Sequence, residues 1–186
     1  HDIEYYNGME NFHDAGEVLE GTKFKVQIKI AASFLPPMGY EVLKVCFHER
    51  TSKRPEGDVV ILKNGAENKY LVMHIQEDGT LSVTNKQTQE TYHQLNTFVE
   101  KGDDGDEYNY SPCIDDTEIR INDIHPMITC IESSSIEVKY RLEYQIQVPE
   151  KVVDHHRVQA LKPLKICSDV SLKANSQTID FVTKIN

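Results

Sequence analysis

Alternating apolar and polar residues run through much of this chain at the two-residue period of a β-strand. The clearest case is IEVKYRLEYQIQVP, residues 136–149, where every second residue from Ile136 to Val148 is apolar or aromatic and most residues between them are charged or polar. Successive side chains of a strand point to opposite faces, so this pattern predicts a long strand with one face in a core and the other in water. Such a strand is typical of a large antiparallel sheet.

Shorter segments alternate in the same way and are separated by turn signals. They are residues 23–30, 164–172 and 178–185. Residues 69–92 predict a meander, because Asp78-Gly79 is a tight hairpin turn and the polar run from Asn85 to Glu90 marks a second turn. No segment carries a helical apolar stripe beyond two turns, so we predict an all-β antiparallel sandwich. Tyr70, Tyr140 and Tyr144 are expected in its core.

Composition divides the chain into three predicted parts. Residues 1–22 are poorly patterned, residues 23–55 form part of a small β-sandwich unit, and residues 56–186 form the large antiparallel sandwich domain. The polar segment HERTSKRPEGD, residues 48–58, marks the boundary. Because a strand pattern still runs at the C-terminus, we expect an excised fragment whose sandwich is truncated there. Its exposed strand edges would favour a homodimer.

Charge and cysteine spacing exclude several functional classes. The net charge is −10, and the chain has neither a Lys/Arg cluster nor an apolar run of membrane-span length, so we expect neither nucleic acid nor membrane as a partner. The four cysteines are too far apart for a CxxC zinc or redox motif. A chain of this length needs no disulfides, which favours free thiols and a cytoplasmic location. Phosphate-binding, dinucleotide-binding and G-x-S-x-G motifs are absent.

The segment GDDGDEYNYSP, residues 102–112, concentrates chemically active side chains. It holds four carboxylates, two glycines and two tyrosines. Its composition resembles that of a calcium loop, but the EF-hand register and distal glutamate are absent. Carboxylates accept hydroxyl protons, and tyrosine offers an apolar face with a polar tip, so the segment also suits polyol recognition. The residues alone leave a metal loop, a sugar-binding rim and a solvated turn open.

Three phrases occur in an order that resembles one enzyme family. They are SFLPPMGYEVLKV at 33–45, the stretch 67–95 that begins ENKYLVMHIQEDGTLSV, and GDDGDEYNYSP at 102–112. Together they are similar to the region that follows the catalytic and helical domains in α-mannosidases of glycoside hydrolase family 38, especially its bacterial branch. The resemblance covers residues 33–186 and departs mildly at TNKQTQ, in a turn. It implies a galactose-mutarotase-like supersandwich.

The resemblance also implies a function. The chain would be a non-catalytic β-sandwich fragment of an α-mannosidase that hydrolyses α-mannosides with retention of configuration and with zinc. The zinc ligands and catalytic residues would lie in the missing catalytic and helical domains, which are its expected partners together with the α-mannoside substrate. This fragment is expected to contain no catalytic residue and to bind no metal. The motif marks Tyr108 as a substrate contact, with Asp106, Asn109 and Tyr110 as weaker candidates.

Two other functional classes stay open. The chain could be a stand-alone carbohydrate-binding or adhesion sandwich, although the absence of tryptophan counts against a module that stacks sugars on indole. It could also be a mutarotase-like epimerase, which needs a histidine and a glutamate in one cleft, with His74, His93 and His125 as candidates. The adjacent His155 and His156 would point to opposite faces of a strand, so we expect a surface loop there.

Overall fold

The computed structural model describes residues 3–5, 28–30, 37–40, 42 and 57–186, and the chain forms two compact units, His1–Glu56 and Gly57–Asn186. In the first unit, strands β1 (Ile3–Tyr5) and β2 (Ile28–Ile30) pair antiparallel. Strand β2 lies within the segment predicted as a strand at 23–30, whose other residues lie outside the described part. Strand β1 falls in residues 1–22, the segment described above as poorly patterned.

The second unit is built from antiparallel strands. In chain order they are β3 (Val60–Leu62), β4 (Gly65–Glu67), β5 (Leu71–Ile75), β6 (Leu81–Asn85), β7 (Thr91–Leu95), β8 (Val99–Glu100), β9 (Ile119–Arg120), β10 (Met127–Ser133), β11 (Glu137–Pro149), β12 (Val152–Val153), β13 (His156–Arg157), β14 (Leu161–Lys173) and β15 (Ile179–Ile185). A five-stranded sheet has the order β3-β4-β5-β6-β7, and a four-stranded sheet has the order β10-β11-β14-β15. Strands β8 and β9 form a small separate pair, as do β12 and β13.

Helical structure is minimal in the described part of the chain. It holds a single short 3-10 helix, Ile121–Asp123, and no α-helix. Within these same residues, no helix has the length and apolarity needed to cross a membrane.

Turns of the five-stranded sheet lie where the sequence predicted them. Gly79 has a φ of 77° in the β5–β6 hairpin, and Asp78 Oδ1 accepts the Thr80 backbone N–H at 2.9 Å. A Cβ at Gly79 would lie 2.1 Å from the Tyr144 hydroxyl, so this position needs glycine for space as well as conformation. The Asn85 side chain accepts a backbone N–H in the β6–β7 turn.

Strands β11 and β14 are the longest, with 13 residues each. The apolar positions of β11 from Val138 to Val148 are buried, which confirms the predicted alternation. Glu137 differs from the prediction. We expected it to face water, but it is only 4% exposed. Its carboxylate lies 3.5 Å from Lys139 Nζ, and a charge-paired carboxylate can be buried at lower cost than a lone one.

The hydrophobic core lies between the two larger sheets. Fully buried side chains include Met73 and Leu81 of one sheet and Leu142 and Val170 of the other. Burying one large apolar side chain contributes roughly 1.5–3 kcal/mol, so these residues hold the sheets together. The antiparallel sandwich is therefore confirmed.

The three tyrosines expected in the core contact it. Tyr140 and Tyr144 are buried, and Tyr70 packs against the core while partly buried. The Tyr140 hydroxyl donates a hydrogen bond to the Gly65 carbonyl at 2.9 Å, which links the two sheets. This hydrogen bond satisfies a phenolic hydroxyl that would otherwise be buried without a partner.

Candidate functional site

Residues 102–112, the tyrosine loop, lie within the connection between the small strands β8 and β9. The loop has an entry limb and an exit limb that pair across its base. Asp103 and Pro112 form an isolated antiparallel bridge, and the Asp104 backbone N–H donates to the Ser111 carbonyl at 2.8 Å. This pairing makes the segment a compact hairpin-like loop whose tip carries the predicted site residues.

Asp103 fixes the shape of the limbs through its side chain. Its Oδ1 accepts the backbone N–H of Gly105 at 2.8 Å and that of Ser111 at 3.1 Å. A Cβ at Gly105 would lie 1.8 Å from the Asn109 carbonyl oxygen, so the chain passes too close there for any other residue. The Gly-Asp composition of this segment therefore serves tight folding of the backbone.

Asp106 folds the tip in the same way. Its Oδ1 accepts the backbone N–H of Tyr108 at 2.9 Å and that of Asn109 at 2.8 Å. The hydrogen bonds from Tyr108 and Asn109 lower the pKa of the Asp106 carboxyl, because they stabilise its ionised form. Asp106 is thus a turn-forming residue in this structure, engaged with the backbone.

The aromatic side chains of the tip face solvent. Tyr108 is 83% exposed and Tyr110 is 59% exposed. Asn109, between them, is also exposed. A tyrosine ring can stack on the apolar face of a sugar while its hydroxyl forms hydrogen bonds. The structure therefore brings Tyr108, Asn109 and Tyr110 together at one exposed tip, and the Asp106 carboxylate accepts the backbone N–H groups of Tyr108 and Asn109 there.

Arg157, from strand β13, lies at the base of the loop. Its Nη2 donates to both carboxylate oxygens of Glu100, each at 2.6 Å, and its Nη1 donates to Asp116 Oδ1 at 3.1 Å. The other oxygen of Asp116 accepts the Gly102 backbone N–H at 2.7 Å. A Cβ at Gly102 would lie 2.7 Å from Arg157 Cδ, so the arginine packs directly against the first residue of the loop.

The guanidinium and the two carboxylates at this base stabilise each other's charged forms. Burial alone would lower the pKa of Arg157, but its hydrogen bonds with Glu100 and Asp116 outweigh that effect and raise it. For Asp116, burial opposes ionisation, yet the hydrogen bonds from Gly102 and Arg157 lower its pKa. The Arg157 side chain is only 10% exposed, so the base is held by partly buried, charge-assisted hydrogen bonds.

The β12–β13 hairpin brings a histidine to the loop. Its two-residue turn is Asp154 and His155, with φ angles of 47° and 67°. Positive φ at both positions matches the twist of the strands, and aspartate and histidine tolerate this conformation better than most residues. His155 Nδ1 contacts Asp104 Oδ2, and this hydrogen bond raises the pKa of His155. The expected surface loop at His155 is thus a turn with a specific partner.

Metal binding is not supported by the arrangement of these residues. Across the part of the chain that the structure describes, no three His, Cys, Asp or Glu side chains come together in a way that could hold a metal ion. The carboxylates of Asp103 and Asp106, which suggested calcium, accept backbone N–H groups.

Other candidate groups lie apart from the loop. His74, His93 and His125 are exposed, and the ring of His125 is 3.1 Å from the Glu77 carbonyl oxygen. The cysteines described by the structure, Cys113, Cys130 and Cys167, are free thiols as expected, and Cys46 lies outside the described residues.

The sequence motif predicts residues at the tip of the loop but none of those at its base. Arg157 lies 57 residues from Glu100 and 41 from Asp116 along the chain. No motif joins these three residues, so only the pairing of strands could reveal their contact. The one sequence feature that marks the β12–β13 hairpin is the adjacent pair His155 and His156. It does not indicate that the hairpin contacts the tyrosine loop.

Comparison with known proteins identifies the sandwich. The family model described as "Glycosyl hydrolases family 38 C-terminal domain" matches residues 66–186. An alpha-mannosidase from Enterococcus faecalis V583 is similar in structure, with a TM-score of 0.67 and 26% identity over 70% of this chain and 17% of its own. A protein in glycosyl hydrolase family 38 from Enterococcus faecalis has a TM-score of 0.69 and 25% identity over 74% of this chain and 19% of its own.

The matches cover most of this chain but only a small part of each solved structure. Curated protein sequences give no significant match. The chain spans 17% and 19% of the lengths of the two solved structures, so it corresponds to a small part of each. The family match covers most of the chain and ends at its last residue. The resemblance noted in the sequence is thereby confirmed, and the chain belongs to glycoside hydrolase family 38 through the C-terminal domain of that family.

Proposed function

We propose that this chain is a non-catalytic β-sandwich piece of a longer α-mannosidase, and that the longer protein hydrolyses α-mannosides. Family membership and the similarity to an alpha-mannosidase from Enterococcus faecalis V583 support this assignment. The hydrolysis would proceed with retention of configuration and with zinc, both supplied by catalytic and helical domains outside this chain. Those domains and the α-mannoside are then its partners. The free thiols of Cys113, Cys130 and Cys167 support a cytoplasmic location.

Within that enzyme, the tyrosine loop contributes part of the rim of the active site. The observation that carries this proposal is the Tyr108 side chain, 83% exposed on a backbone that Asp106 holds in a turn. A large exposed ring on an ordered loop can bind a sugar without a large loss of conformational entropy. Tyr108 is the principal contact, Tyr110 and Asn109 are secondary contacts, and Asp106 supports the turn.

The division of labour between this chain and the longer protein can be tested directly. Both are assayed for hydrolysis of 4-nitrophenyl α-mannoside with zinc and after chelation. We expect turnover only from the longer protein, lost on chelation and restored by zinc. Turnover by the 186-residue chain alone would contradict its non-catalytic role. A longer protein that cleaves other glycosides but no α-mannoside would contradict the substrate.

We further propose that the isolated chain forms a homodimer through strand β15. Strand β15 is an edge strand of the four-stranded sheet, where it pairs with β14 alone among the described strands. Val182 at its centre is 59% exposed. Asn186 and Lys165 exchange backbone hydrogen bonds, so the even-numbered residues of β15 bond to β14. The N–H and C=O groups of the odd-numbered residues therefore face the open edge, which is a template for another strand.

Charge complementarity selects the partner and the register. If two copies of β15 pair antiparallel with Val182 opposite Val182, Asp180 of each copy lies opposite Lys184 of the other. The same register pairs Phe181 with Thr183 through the free odd-numbered groups. Opposite charges at directly facing positions stabilise a strand pair, so a second copy of this chain fits the edge.

A further inference from the structure

The β12–β13 hairpin contacts the entry limb of the tyrosine loop and the segment that follows its exit limb. On the entry limb, His155 contacts Asp104 through its ring. On the exit side, the Ile114 backbone N–H donates to the His155 carbonyl at 2.8 Å. Arg157 at the end of the same hairpin reaches the base. This one hairpin therefore holds the loop and the segments on either side of it through three separate sets of contacts.

Arg157 makes the best-buried of these attachments. Its two terminal nitrogens serve different carboxylates, Glu100 just before the loop and Asp116 just after it. Asp116 in turn accepts the N–H of Gly102, the first residue of the loop. The guanidinium thus connects the strand that enters the loop, the segment that leaves it and its first peptide group. A lysine could not do so, because its ammonium is a single point charge on a flexible stem.

From this geometry we infer that Arg157 is a positioning residue for Tyr108, acting through the base of the tyrosine loop and touching no substrate itself. The inference rests on the proposed role of the loop at an active-site rim. Its consequence is that the orientation of Tyr108 depends on a residue 49 positions away in the chain. Small displacements of a positioned contact have large effects on rate, so loosening the base should be visible in catalysis.

The test compares Arg157→Lys with Arg141→Lys. Arg141 is a suitable control because its Nε and Nη2 bind both oxygens of Asp169, at 2.7 and 2.8 Å, on the four-stranded sheet. Amide hydrogen exchange of this chain is measured first. We expect exchange about five-fold or more faster at Gly102, Gly105 and Tyr108 in Arg157→Lys, with unchanged protection of the Leu142 amide and no change in the loop of Arg141→Lys.

Activity is measured second, in the longer protein, for the same variants and for Tyr108→Ala. We expect Arg157→Lys to lower kcat/KM about ten-fold and Arg141→Lys to leave it unchanged. Unaltered loop exchange in Arg157→Lys would overturn the inference, whatever the activity. Faster loop exchange with full activity in both Arg157→Lys and Tyr108→Ala would support the attachment and refute the active-site role of the loop.

A second variant covers the case in which Arg157→Lys does not fold. Glu100→Gln keeps the shape of the side chain and removes the charge that Arg157 contacts at 2.6 Å. We expect it to accelerate exchange in the loop to a smaller degree, because Asp116 still holds Arg157 and Gly102. Wild-type exchange in a folded Glu100→Gln variant would count against the inference.

Discussion

The Asp106 carboxylate accepts the Tyr108 backbone N–H at 2.9 Å, while the ring of Tyr108 is 83% exposed. One residue therefore shapes the backbone that presents the other. This relationship explains why acidic residues and tyrosines are interleaved in GDDGDEYNYSP: Asp103 and Asp106 fold the loop, and the tyrosines extend from it. Loops held by a rigid sheet commonly carry binding residues in this way.

Two substitutions of Asp106 distinguish the role of its oxygen acceptor from the role of its charge. Asp106→Ala removes the acceptor for the N–H groups of Tyr108 and Asn109, whereas Asp106→Asn keeps an oxygen in place. We expect faster amide exchange at both positions and lower kcat/KM in the longer protein for Asp106→Ala, with Asp106→Asn close to wild type. If the two variants accelerated amide exchange and lowered kcat/KM equally, Asp106 would act through its charge and not by forming the turn.

The contact between His155 and Asp104 should make the loop sensitive to pH. The hydrogen bond raises the pKa of His155 above its usual 6.5. The stabilisation is therefore fully present below about pH 6.5 and is lost as pH rises through the higher pKa of the folded state. We expect the protection of loop amides, corrected for intrinsic exchange, to decrease over that range.

The control for this pH dependence is the adjacent histidine. His156→Gln should keep the change in protection, and His155→Gln should abolish it. An NMR titration of the histidine ring protons checks the direction of the shift. A His155 pKa at or below 6.5 would contradict the contact.

The buried Tyr144 hydroxyl should contribute measurably to stability. It donates to the Gly79 carbonyl and accepts from Asn96 Nδ2, each at 3.2 Å. Tyr144→Phe removes both hydrogen bonds, but Asn96 Nδ2 still donates to the Gly79 carbonyl at 3.2 Å, so we expect a cost of about 1–2 kcal/mol in the free energy of unfolding. Chemical denaturation measures this value. Tyr140→Phe, which loses one hydrogen bond to Gly65, should cost less.

Alkaline pH tests the same residue independently. Burial raises the pKa of Tyr144 to about 12 from 10.0. Because the folded state favours the neutral phenol, its stabilisation is present below about pH 10 and is lost as pH rises toward 12. The Tyr144→Phe variant should lose less stability than wild type between pH 10 and 12. Identical pH profiles would show that the hydroxyl is not buried in solution.

Association through β15 should respond to the charge pattern of the strand. Val182→Lys would place two like charges opposite each other at the centre of the pair, so we expect a monomer by sedimentation. Val60→Lys is the matched control, because Val60 is 53% exposed on an edge strand of the other sheet. Asp180→Lys should weaken the dimer, and adding Lys184→Asp should restore it. A wild-type chain that stays monomeric at high concentration would refute the pairing.

Local patterns predicted the sandwich well because its strands are governed by local rules. The alternation of β11 and the Asp78-Gly79 turn each depend on residues within one segment, and both were confirmed. Residues whose roles depend on distant partners could not be predicted. Glu137 is buried although its position in the alternation assigns it to the wet face, because it lies opposite Lys173 of the neighbouring strand β14 as well as beside Lys139. Arg157 appears in no motif, since its partners come from other strands.

The proposed contact between Tyr108 and the α-mannoside can be tested by steady-state kinetics of the longer protein. Tyr108→Ala is compared with Tyr108→Phe and with Tyr92→Ala, a control tyrosine that is 55% exposed on β7. We predict that Tyr108→Ala lowers kcat/KM at least ten-fold, about 1.4 kcal/mol of transition-state stabilisation. Tyr108→Phe separates the hydroxyl from the ring, and Tyr92→Ala should leave kcat/KM unchanged. A Tyr108→Ala enzyme with wild-type kcat/KM would show that Tyr108 does not contact the substrate and that the loop is a structural element.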